Sequence, residues 1–167
     1  NNAAGTCHPL RHFYTDYSFI ALPAPLFPHR RSRPAQTSES HCRDALRKAL
    51  ADGLIDTIGS DHAPHLLSEK EGKYTKVPSG LPSIQQSLPV LLTIADEEGI
   101  PLTRIASVFS EKASDIYGLK RGKIKPGYDA DLVIFDYTKE FTVKAEDQLS
   151  KCGWTPYEGE TLKGVIE

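Results

Sequence analysis

Apolar residues along this chain follow a helical period in some stretches and a strand period in others. Between Arg43 and Asp52, Ala45, Leu46, Ala49 and Leu50 recur at helical spacing while Arg43, Asp44, Arg47 and Lys48 take the other faces, and Gly53 ends the helix. Leu54, Ile55, Thr57 and Ile58 follow at once, a β-forming run bounded by Gly53 and Gly59, which reads as the strand of an αβ unit in a buried parallel sheet. A second helical stripe, Ile84, Leu88, Leu91, Leu92 and Ala95, runs through Ser83–Glu98, with Pro89 either kinking it or absorbed by its first turns. Ile100–Tyr117 predicts one or two short helices built on Leu102, Ile105, Val108 and Phe109, with Gly118 as the C-cap. Beyond them Gly122 and Gly127 bracket a short strand and turn. Leu132-Val133-Ile134-Phe135 predicts a second apolar strand, and Phe141-Thr142-Val143 a further edge. The pattern is that of an α/β protein.

The strand at Leu54–Ile58 stops abruptly at Ser60-Asp61-His62-Ala63-Pro64-His65. In barrels and open sheets of this class ligands sit beyond the strand C-termini, where Asp61, His62 and His65 project, and Pro64 stiffens the turn that carries the imidazoles. An isolated Asp-His pair would be a loop cap beside surface histidines; the apolar strand leading into this one gives it a different weight. The Leu66–Lys76 stretch that follows, with Glu69, Lys70, Glu71 and Lys73, reads as solvated surface. Asp129, Asp131 and Asp136 lack the spacing of a calcium loop and read as turn carboxylates.

Upstream the pattern is irregular. Ser18–Cys42 gathers Pro23, Pro25, Pro28 and Pro34 with His29, Arg30, Arg31 and Arg33, and prolines at that density deny a central strand its ladder donors. Before it stand Thr6-Cys7-His8 and His12-Phe13-Tyr14-Thr15-Asp16, with no starting Met.

Composition narrows the function classes. A net charge of −2 with both signs dispersed gives no electrostatic case for nucleic acid or an anionic membrane, and no apolar run approaches the ~18 residues of a span. Cys7, Cys42 and Cys152 are an odd number without C-x-x-C spacing, which argues against a disulfide framework and a structural zinc site and for a cytoplasmic enzyme. A chain of 167 residues is shorter than the ~250 of a TIM barrel, so the expectation is the C-terminal part of a larger protein.

Three stretches carry a resemblance to a known family. Ser60-Asp61-His62-Ala63-Pro64-His65, with Lys76-Val77-Pro78-Ser79-Gly80-Leu81-Pro82 after it, resembles the eighth-strand signature of dihydroorotases, within the metal-dependent amidohydrolase superfamily. Arg121–Asp136 is similar to the segment by which amidohydrolases return from the barrel to their small β-sandwich, and Lys151-Cys152-Gly153-Trp154-Thr155-Pro156-Tyr157-Glu158-Gly159 to a dihydroorotase C-terminal signature. The resemblance implies part of a (β/α)8 TIM barrel over residues 1–118 and part of the β-sandwich over 119–167. Because family-like sequence flanks Ser18–Cys42 where the seventh strand would lie, that tract is expected to be a translated frameshift.

The activity the resemblance implies is the zinc-dependent, reversible hydrolysis of dihydroorotate to N-carbamoyl-L-aspartate in pyrimidine biosynthesis, with a binuclear centre and a possible homodimer. Asp61 is then metal ligand and general base/acid, His65 meets the substrate carboxylate, and backbone groups of Pro78, Ser79 and Gly80 receive the ring amides. A further metal-ligating histidine is His8 or His12, with His8 preferred; His62 has no assigned role. The family's first-strand H-x-H pair and bridging lysine have no counterpart here, so the chain alone is expected to be inactive. An allantoinase or dihydropyrimidinase-like enzyme, and a non-catalytic scaffold subunit of the same fold, are the alternatives.

Overall fold

The structure, a computed structural model, describes residues 14–16, 36–71 and 76–167, with side chains from residue 43 onward. In chain order the elements are β1 (Tyr14–Asp16), α1 (Gln36–Ala51), β2 (Thr57–Gly59), α2 (Ser87–Glu98), α3 (Leu102–Ala106), α4 (Lys112–Ile116), β3 (Phe135–Thr142) and β4 (Thr161–Ile166). A π-helical turn, Ser107–Glu111, joins α3 to α4, and short 3-10 turns occupy Leu67–Lys70, Ile84–Gln86 and Ala145–Asp147. β1 pairs in parallel with β2, Tyr14 opposite Thr57 and Asp16 opposite Gly59, while β3 and β4 form an antiparallel pair with an irregularity between Asp136 and Glu140.

Helix α1 begins at Gln36, seven residues before Arg43, where the predicted helical segment starts. Its first turns, Gln36-Thr37-Ser38-Glu39-Ser40-His41-Cys42, are polar and carry no stripe, so the helix takes in the end of the proline-rich tract. At the other end Gly53, with φ 81, closes the helix as expected: its N–H donates to Leu50 O at 3.3 Å and that of Leu54 to Ala49 O at 3.0 Å. The same closure corrects the predicted strand. Leu54 belongs to the helix cap and is 65% exposed, so β2 is only Thr57–Gly59, with Ile55 and Ile58 buried beneath it.

Pro89 takes the third position of α2, where no intrahelical N–H partner is required, and the helix runs on through it. The buried face of α2 is Val90, Leu91, Leu92, Ile94 and Ala95. Ile84 leaves the predicted stripe: it lies in the preceding 3-10 turn, out of phase with the helix, and is 60% exposed. The run Leu102–Ile116 is helical as predicted and ends at Gly118, φ 66.

The second predicted apolar strand is displaced. Leu132, Val133 and Ile134 are exposed and precede β3, which spans Phe135–Thr142 and absorbs the further edge expected at Phe141. No strand lies between Gly122 and Gly127; that stretch is turn, with Arg121 paired to Asp129 at 3.1 Å and Asp131 at 3.2 Å. β4 packs on α2 through the Thr93 hydroxyl, which donates to Pro89 O at 2.8 Å and accepts the Lys163 N–H at 2.8 Å. One core results. Leu50 of α1, Ile55 and Ile58, the α2 face, Ile105 and Val108, and Val143, Tyr157 and Leu162 from the C-terminal part all join it. Arg104 ties the layers together by donating to Leu50 O at 2.9 Å and to Ile55 O.

Candidate functional site

The end of β2 turns sharply at Asp61, whose φ of 44 is left-handed backbone that an Asp tolerates better than most residues. Its carboxylate is exposed and makes no hydrogen bond or ion pair among the described residues. What holds the turn is its neighbours. The Ser60 Oγ accepts the His62 N–H at 3.3 Å, and the Ser60 carbonyl accepts the hydroxyl of buried Ser83 at 3.0 Å. His62 turns its Nδ1 toward the start of the next helix, where it accepts the N–H groups of Ser83 at 3.0 Å and Ile84 at 3.2 Å.

Residues 61–65 and 78–81 are laid against one another. His62 and Leu81 form a parallel β-bridge, and the Ala63 N–H donates to Leu81 O at 3.0 Å. Gly80 makes the approach possible: its φ is 91, and a Cβ there would lie 2.4 Å from the Cβ of Ala63. Lys70 completes the join. Its Nζ donates to Pro78 O and to Gly80 O, each at 2.7 Å, and burial pushes its pKa down against the opposing pull of Glu69. Reading Lys70 as solvated surface is therefore corrected; its charged end points inward at carbonyls ten and fewer residues ahead.

His65 is half-buried. Its carbonyl accepts the Trp154 indole N–H at 2.8 Å, so the C-terminal segment fastens the histidine turn from outside. Its Nδ1 stands 3.7 Å from Glu69 Oε2, an ion pair when the ring is protonated. Glu69 in turn accepts the Leu66 N–H at 2.7 Å. Gln85 acts similarly at the neighbouring helix start, donating to Asp147 O at 2.9 Å and accepting from Leu149 N at 2.8 Å.

Of the residues singled out from sequence, Asp61, His65, Pro78, Ser79 and Gly80 are thus gathered on two adjoining loops at the C-terminal end of β2. His8 and His12 lie outside the described residues. Lys70 and Trp154 were not picked out as anchors, because each acts on a backbone carbonyl distant in sequence, which no local pattern announces. For a metal, one carboxylate with uncommitted oxygens at a strand end fits as a single ligand. Among the described residues no group of three His, Cys, Asp or Glu side chains is placed to hold an ion.

An exposed carboxylate and a half-buried histidine thus stand on the loop beyond a parallel strand, fastened by a second Gly-containing loop, the strand-end placement of a ligand site in α/β proteins. The chain belongs to the amidohydrolase family, whose sequence profile matches residues 29–161. It is similar to the dihydroorotase of Halobacterium salinarum, 41% identical over 118 residues that make up 70% of this chain and 28% of that protein. The dihydroorotase of Methanosarcina acetivorans is 40% identical over 123 residues, 72% of this chain and 26% of that protein. Among solved structures, an L-hydantoinase (dihydropyrimidinase) from Arthrobacter aurescens superposes with a TM-score of 0.71 at 32% identity, over 76% of this chain and 30% of that one. A dihydropyrimidinase from Brevibacillus agri NCHU1002 gives 0.71 at 32%, over 75% and 29%. The chain spans less than a third of the length of these relatives. Its fold is accordingly part of the amidohydrolase barrel with part of the small β-domain, and the described residues close no barrel.

Proposed function

We propose that the complete protein is a cyclic amidohydrolase that interconverts dihydroorotate and N-carbamoyl-L-aspartate, a step of pyrimidine biosynthesis. The observation that carries this reading is the Asp61 carboxylate at the strand end, without a partner among the described residues and flanked by the loops of His65 and Gly80. Opening a cyclic amide needs a proton taken from the attacking water and returned to the leaving nitrogen, and a carboxylate free of other bonds at that place suits both transfers. A bound zinc centre would supply an acidified water and a polarised carbonyl. Asp61 would hold it together with His8 and with ligands outside the described residues.

His65, anchored through its backbone by Trp154, would turn its ring from Glu69, 3.7 Å away, to the substrate carboxylate. With Pro78 O and Gly80 O occupied by Lys70, the loop retains the N–H groups of Ser79 and Gly80, which have no partner among the described residues. These donors suit a substrate oxygen, which narrows the expectation that the loop receives ring amides. The same proposal takes residues 1–118 as barrel and 119–167 as β-domain, with a frameshift within 18–42, a homodimer and a cytoplasmic location. Resequencing the locus tests the frameshift; an intact frame through Pro34 refutes it.

The solved neighbours favour a second reading, a dihydropyrimidinase-like enzyme for hydantoins or dihydrouracil. Purified full-length protein assayed with zinc on dihydroorotate, dihydrouracil, hydantoin and allantoin separates the two. A kcat/KM highest for dihydroorotate is the expected result. Preference for an uncharged ring would establish the second reading, and no turnover of any ring would leave the scaffold alternative.

A further inference from the structure

We infer that His62 is a positioning residue, whose Nδ1 fixes the Asp61 turn to the start of the helical segment 84–98. The inference rests on the proposed role of Asp61 for its catalytic consequence, and on geometry alone for the clamp. Two backbone donors, Ser83 N–H at 3.0 Å and Ile84 N–H at 3.2 Å, converge on one ring nitrogen. That nitrogen must present its lone pair, so in the neutral ring the proton sits on Nε2. Neither nitrogen then offers a lone pair to a metal or to a substrate proton, and His62 is set apart from chemistry although it adjoins Asp61.

At Ser83 solvent has no access to take the place of the imidazole. Ser83 is fully buried and its hydroxyl is already committed to the Ser60 carbonyl at 3.0 Å. Removing the imidazole therefore takes the Nδ1 acceptor from the buried Ser83 N–H, leaves the Ile84 N–H to solvent, and frees the side chain that links residue 62 to the helix start. Asp61, held at φ 44 with no side-chain bond among the described residues, depends on its flanking residues for that conformation. The loops that meet substrate are held by other side chains, His65 by Trp154 and residues 78–80 by Lys70, so loss of His62 should reach the proton transfer more than substrate binding.

Three variants of the full-length protein test this: His62→Ala, His62→Asn, whose Oδ1 stands near the place of Nδ1, and His62→Gln, whose Oε1 stands nearer that of Nε2. Amide exchange at Ser83 and Ile84 should quicken about tenfold or more in His62→Ala and His62→Gln and return toward wild type in His62→Asn. Measured with dihydroorotate below each variant's unfolding midpoint, kcat should fall roughly 10- to 100-fold in the first two, with KM within about threefold, and be largely recovered in His62→Asn. Wild-type exchange at both amides in His62→Ala would overturn the inference, as would rescue by Gln in preference to Asn, or a loss of kcat with exchange unchanged. If His62→Ala does not fold, the Asn–Gln contrast decides. If the wild-type protein turns over no dihydroorotate, the proposed reaction falls, while the exchange data still judge the clamp.

Discussion

Burying the ammonium of Lys70 against two loop carbonyls costs it hydration, and its lowered pKa reflects that cost. The return is a fixed Pro78–Gly80 backbone. Hydrogen bonds from a charged donor contribute about 1.5–3 kcal/mol each, toward the lower end here because the side chain is only half-buried. Lys70→Met should therefore raise KM for the cyclic amide roughly tenfold while kcat changes little. Steady-state kinetics of the full-length variant give the answer, and an unchanged KM would show that the loop keeps its shape without the lysine. At this scale the sequence was half legible. Asp61, His65 and Gly80 stood out because their neighbours form a compact run, whereas His62 and Lys70 work on backbone groups of residues 78–84 and leave no spacing that marks them.

Among the elements, helices were more readable than strands, and the reason is physical. α1, α2 and the Leu102–Ile116 run bury one face each, so their apolar residues recur at the period of the helix. β3 buries little, with Phe135, Asp136, Tyr137 and Phe141 half-covered and Thr138, Lys139 and Glu140 in solvent, so no alternation marks it. The apolar run Leu132–Ile134 was the stronger signal and lies outside the strand. β3 is instead shaped by a polar device at its irregularity. Asp136 accepts the Thr138 N–H at 2.9 Å and its hydroxyl at 2.6 Å and pairs with Lys139 at 3.0 Å. The Thr138 hydroxyl foremost, then Lys139, lowers its pKa from 3.8 to about 2. A carboxyl lowered on folding adds stability that is present above the unfolded value and lost as pH falls through the folded one. Protection from amide exchange across Phe135–Thr142, taken relative to the unfolded chain at the same pH, should accordingly fall between about pH 4 and pH 2. Asp136→Asn should be flatter over that window; a variant with the wild-type pH dependence would contradict the assignment.

For the molecule as a whole, the core is shared between the helices and the C-terminal part, since Val143, Tyr157 and Leu162 join one cluster with the α2 face. No helix among the described residues is long and apolar enough to cross a membrane. Apolar side chains nevertheless reach solvent in a row at Leu132, Val133 and Ile134, which are 62%, 58% and 68% exposed. Such a row favours association. The 167-residue chain by itself should sediment with a concentration-dependent mass, and replacing all three by Ser should shift it toward monomer. An unchanged profile would show that this strip is harmless in water.

The central claim is that Asp61 moves the proton in hydrolysis of a cyclic amide, and the full-length protein with and without Asp61→Asn tests it most directly. The wild-type protein should convert dihydroorotate to N-carbamoyl-L-aspartate and back. The variant should keep its fold by circular dichroism and lose on the order of 10³-fold or more in kcat, as removal of a general acid–base group predicts. A folded Asp61→Asn protein whose kcat stays within about tenfold of wild type, below the smallest loss expected for such a group, would contradict the account.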